Sequence, residues 1–75
     1  MNYPSIRDEV ELLRRLKAQE DWTNAQVATS MTAFGWTISE GLVEDWLDGR
    51  NKPGESHREY IRRYLLMHYY GVTLA

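Results

Sequence analysis

The sequence predicts an all-α fold, a compact four-helix domain, and three observations carry that prediction. Apolar residues recur at three- and four-residue spacings in four separate stretches. Each stretch is bounded by residues that start or stop helices, and no segment alternates apolar and polar residues for the length of a useful strand. A chain of 75 residues supports one core, so residues 1–75 form a single domain. With 43% hydrophobic and 27% charged residues the composition is that of a folded protein rather than a disordered one. There is no cysteine, so packing alone must hold the core, and a reducing cytoplasmic setting fits.

The first helix is expected over residues 6–19, with Ser5 and Asp8 at capping-box spacing and Ile6, Val10, Leu13 and Leu16 on one face. Arg7, Glu9, Glu11, Arg14 and Arg15 fill its other faces, with Glu11 and Arg15 at the favourable i, i+4 spacing, and read as a solvated surface. The second helix is expected over 24–34. Thr23 can cap it, Gln26 can close a capping box, Trp22 can staple onto Val27, and Gly35 can end it in the left-handed conformation. Its buried face is Val27, Ala28, Met31 and Phe34.

The third helix, residues 40–48, is short. Ser39 is its best cap, with Ile38 as a staple opposite Val43, although Thr37 with Glu40 offers a rival box. Val43, Trp46 and Leu47 form its apolar stripe; Gly49 stops it and Pro53 prevents continuation. The fourth helix, 57–70, is capped by Ser56 and stopped by Gly71, with Ile61 and Leu65 facing inward.

Charge is distributed unevenly. Residues 1–38 hold four basic and five acidic groups, 39–48 none and four, and 49–75 five and two, giving net charges of −1, −4 and +3. The overall −2 argues against a non-specific nucleic-acid binder. Residues 1–7 carry neither a basic patch nor an apolar stretch, and no window approaches the roughly 18 apolar residues of a membrane span, so no membrane partner is expected.

The tail of the third helix, Val43-x-x-Trp46-Leu47-x-Gly49-x-x-x-Pro53, joins the packing residues of a recognition helix to its terminator and a proline-braced loop. Together with the preceding helix it resembles the Cro and lambda-repressor class of helix-turn-helix domains, over about residues 5–66. The interval from Ala28 to Val43 is about five residues longer than in the compact motif. The pattern Ala28-x-x-Met31-x-x-x-Gly35-Trp36-x-x-Ser39-x-x-x-Val43 resembles a longer-turn variant found in actinobacterial regulators and their phages. The resemblance implies a transcriptional regulator, a repressor or activator, that binds double-stranded DNA. It also implies that the third helix enters a major groove with Ser39, Glu40, Gly41, Glu44 and Asp45 facing bases. Asn24 would approach a phosphate, and Arg50 and Lys52 would add positive charge from the following loop.

Glu40, Glu44 and Asp48 recur at i, i+4 and i+8, so that helix presents an acidic stripe, enlarged by Asp45, where the family meets DNA. Glutamate accepts from cytosine N4, so an acid there is compatible with base reading. Affinity would nonetheless require flanking charge from Arg50, Lys52, Arg58, Arg62 or Arg63. The same stripe suits a second reading, a protein-binding module or inhibitor whose acidic face meets a basic partner. The last helix is rich in tyrosine and leucine, and Tyr64, Met67, Tyr69, Tyr70 and Leu74 are candidates for a homodimer contact, which would place two recognition helices one DNA turn apart.

No enzyme is expected. His57 and His68 lie three helical turns apart, there is no cysteine nucleophile, and no glycine-rich phosphate loop follows a strand. His57 near Glu55 and Glu59 lacks the spaced ligand cluster of a zinc site, and no cofactor is implied.

Overall fold

A computed structural model describes residues 8–71, apart from the Tyr70 side chain. These residues form α1 (Glu9–Glu20), α2 (Asn24–Phe34), α3 (Glu40–Asp48) and α4 (Glu55–Tyr70), with no strand among them. The fold is all-α, as expected. α2 packs on α3, and α1 packs on both α4 and α3. α4 also reaches α2 through its tyrosines, described below. No helix is long and apolar enough to cross a membrane among the described residues.

The helix ends follow from local chemistry, with four departures from expectation. α1 starts at Glu9 because Asp8 accepts from the Glu11 amide at 3.0 Å; Ser5 and Ile6, expected at this end, lie outside the described residues. Asp21 closes α1 in the left-handed region, φ 56°, with its amide donating to Ala18 and that of Trp22 to Lys17. This is the paired pattern that satisfies the last carbonyls, at a residue type that tolerates the conformation. The capping box of α2 forms as read: the Gln26 amide donates to Thr23 Oγ1 at 3.2 Å and the Thr23 amide to Gln26 Oε1 at 2.8 Å. Gly35 ends α2 in extended rather than left-handed backbone, with φ 165°. Ser39 caps α3, accepting from Leu42 at 3.1 Å, and Gly49 stops it at φ 78°. α4 begins at Glu55 behind Gly54, so Ser56 lies inside the helix and is not its cap.

The core gathers Leu13 and Leu16 from α1, Val27, Ala28 and Met31 from α2, Val43 and Trp46 from α3, and Ile61 and Leu65 from α4. Val10 and Leu47, expected inside, are only partly buried against this cluster. Ile38, Tyr60 and Tyr64 complete it. Tyr64 is 0% exposed, which corrects its assignment to a dimer contact. Its ring lies against Phe34 and its hydroxyl shares a 2.6 Å hydrogen bond with Ser30. Burial pushes the Tyr64 phenol above its ordinary pKa, with the Ser30 hydrogen bond pulling the other way.

Tyr60 secures the junction between α2 and α3. Its hydroxyl donates to the Met31 carbonyl, in the last turn of α2 where carbonyls lack a partner in the regular helix ladder, and accepts from the Trp36 amide at 2.7 Å. Thr32 holds the next point of the connection, its Oγ1 accepting from the Ile38 amide at 2.9 Å and donating to the Ile38 carbonyl at 3.1 Å.

Glu9, expected on a solvated face, is 3% exposed. Arg62 Nη2 meets its Oε1 at 2.7 Å and Arg58 Nε its Oε2 at 3.5 Å, joining α1 to α4. Burial pushes the Glu9 carboxyl up, but its own backbone amide and the two guanidiniums outweigh burial and leave its pKa below the ordinary value.

Two outcomes are expected in urea denaturation. Tyr60→Phe leaves the Met31 carbonyl and Trp36 amide without their partner and should cost about 1–3 kcal/mol. Glu9→Gln should cost about 1.5–3 kcal/mol at neutral pH, the range for hydrogen bonds to charged groups. Because the folded pKa of Glu9 is depressed, its contribution is complete above the unfolded carboxylate pKa and disappears as pH falls through the folded value. The difference between wild type and Glu9→Gln should therefore shrink on acidification; a difference that stays constant with pH would refute the ionic clip.

Candidate nucleic-acid interface

α3 has two distinct sides. Val43 and Trp46 turn into the core, which leaves Glu40, Gly41 and Asp48 exposed and Glu44 and Asp45 half-buried. Ser39 is exposed, but its hydroxyl is already engaged as the helix cap. The pins at Thr32 and Tyr60 fix the entry to α3, and Arg14 of α1 donates to the Leu47 carbonyl at 2.8 Å near the exit. Glu40 borders a shallow groove with Ala25 and Thr29 of α2, so the start of α3 lies alongside the early turns of α2. The predicted residues of α3 therefore share one rigid element. Asn24 stands apart from them on the first turn of α2, half-buried, with its Oδ1 buried and unmatched by any hydrogen-bond donor.

The positive charge is disposed differently from the sequence expectation. Arg50 folds back over the acidic helix, with Nη2 3.0 Å from Asp48 and Nη1 3.5 Å from Glu44 and 3.6 Å from Asp45. Asn51 reinforces the same corner by donating to Asp45 Oδ2 at 3.2 Å. Arg58 and Arg62 serve Glu9, while Arg62 and Arg63 share Glu59. Of the proposed flanking cations, Lys52 alone makes no ion pair among the described residues, and it is exposed.

The dimer candidates also separate. Tyr64 belongs to the core, Met67 is half-buried and Tyr69 is 38% exposed, whereas Leu74 and the Tyr70 side chain lie outside what is described. Sequence reasoning missed Arg14 as a brace for α3 and Trp36 as an exposed ring; a tryptophan directly after a helix-ending glycine was the available signal for the second.

Comparison of the chain with known protein families, characterised proteins and solved structures finds no match.

Arg50 is well exposed and its pairs are surface pairs, each worth about 0–1 kcal/mol. Arg50→Ala should accordingly lower stability by no more than about 1 kcal/mol in thermal melts. A larger loss would show that the Arg50 cluster is a structural element of the loop after α3.

Proposed function

We propose that the domain is a small sequence-specific DNA-binding regulator that uses α2 and α3 as a helix-turn-helix and lays α3 in the major groove. One observation carries this reading: α3 is braced at both ends while a side bearing exposed Glu40 and Gly41, and Glu44 paired with Arg50, faces outward. In that pose a glutamate accepts from cytosine N4, and Gly41, without a side chain, lets the helix backbone approach the base edges. The free amides at the start of α2, beside Asn24, would receive a phosphate. Lys52 would add a second backbone contact.

Arg50 acts as a movable cation in this scheme. Its pairs with Glu44, Asp45 and Asp48 are weak in water, so exchanging them for a phosphate costs little. One domain carries few phosphate contacts, and a homodimer on two half-sites, using Met67 and Tyr69 of α4, would multiply them.

The four carboxylates of α3 specifically favour a second reading, in which the same side binds a basic protein partner. The two readings have opposite mutational signatures. Selection from random duplex DNA at moderate salt, followed by titration of the enriched sequence, should return an inverted repeat bound with two protein chains. Affinity for that repeat should fall with rising salt and with Arg50→Ala or Lys52→Ala. A protein interface would instead depend on Glu44 and Asp45, so Glu44→Gln with Asp45→Asn would abolish partner capture. No enriched sequence and no binding even at low salt would overturn the DNA reading.

A further inference from the structure

Trp36 is 49% exposed, yet it makes specific contacts. Its ring stacks on Tyr60 with centroids 4.8 Å apart and planes 5° from parallel, and the His57 ring meets it edge-on at 6.3 Å. Its amide is held by the Tyr60 hydroxyl at 2.7 Å, and that hydroxyl is itself tied to the Met31 carbonyl. A ring anchored this way is a preformed surface whose ordering cost is already met in the free protein.

Trp36 forms one wall of an open groove of about 750 Å³ between the end of α2 and the first turns of α4. Phe34 and Tyr60 supply its apolar floor, and Glu55, Glu59 and Arg63 its polar rim. Glu59 is shared by Arg62 and Arg63 at 3.4 and 3.3 Å, so its charge is matched. Glu55 makes no ion pair among the described residues. The groove thus holds an indole ring and, on the same lining, a carboxylate without an ion pair among the described residues. That combination suits a cation, because the negative face of an indole attracts a guanidinium or ammonium, and tryptophan does so best. A phosphate-bearing strand could stack on the ring but would bring its charge against Glu55.

We propose that this groove is a docking site for an arginine-bearing segment of a protein partner, with the guanidinium over Trp36 and paired to Glu55. No residue of α3 lines the groove, so the proposal does not depend on how that helix is used. A regulator bound to DNA would keep it available for a second protein.

The test is a titration of the full, isotope-labelled chain with the blocked peptide Gly-Arg-Gly-Arg-Gly, followed by the Trp36 indole and Glu55 amide signals in NMR. The citrulline version of the peptide, equal in shape but uncharged, is the control. Saturable shifts of both signals are expected with the arginine peptide and not with citrulline. Trp36→Ala and Glu55→Gln should each weaken binding about two- to fivefold, the range of an exposed cation–π contact or ion pair. Glu55→Gln is a surface change that preserves the fold if Trp36→Ala does not. Shifts confined to Glu44 and Asp45, an equal response to citrulline, or affinity unchanged in Glu55→Gln would overturn the proposal. So would an oligothymidine that shifts the Trp36 indole where the peptide does not, which would identify a base-stacking site instead.

Discussion

The geometry of the domain depends on a single hydroxyl. Tyr60 lies on α4, yet its oxygen satisfies both a carbonyl at the end of α2 and an amide of the connection to α3. The connection between these helices has five residues, and Thr32 of α2 is the other side chain that holds it. With Thr32 fixing Ile38 and Tyr60 fixing Trp36, it is tied at two successive points, and the direction in which α3 leaves α2 is set by α4. The outward side of α3 inherits its orientation from this arrangement.

Electrostatics follows the same division between inside and outside. Of the arginines of α4, Arg58 and Arg62 reach across to the buried Glu9, while Arg62 and Arg63 pair with Glu59 on their own helix. What the α1–α4 contact gains, the α3 face loses: its own cation, Arg50, is shared among three acids, and the surface retains a negative balance. A DNA-binding face of this kind would draw affinity from helix N-termini, Lys52 and pairing of two domains more than from a basic field.

Helix identity and most boundaries were legible because they rest on local patterns. Thr23, Ser39, Gly49 and Gly71 act within a few residues of themselves, and spacing reveals such roles. What was misread depends on distant parts of the chain. Tyr64 reads as a dimer candidate on the tyrosine-rich last helix, and Tyr60 is not singled out. They are buried because α4 is covered by α1 and also touched by α2, which gives it a wider inner face than one stripe. Glu9 was placed outside because a carboxylate beside arginines on its own helix reads as solvated, whereas its actual partners lie some fifty positions later. For the candidate site, the membership of α3 was legible, while the engagement of Arg50 and the exposure of Trp36 were not. Both depend on how the loops after α2 and α3 fold back.

The pairing of α1 with α4 joins opposite ends of the described chain. α2 and α3 are sequence neighbours and can meet early, and α1 packs on α3, but Glu9 gains its two arginines, and the core its Tyr60, Ile61, Tyr64 and Leu65, only once α4 exists. During synthesis the first fifty residues would therefore emerge with the side of the core that α4 covers still open, and that side would close only when α4 clears the ribosome. A nascent chain stalled before α4 would leave that apolar surface exposed, the condition under which incomplete chains aggregate or engage chaperones.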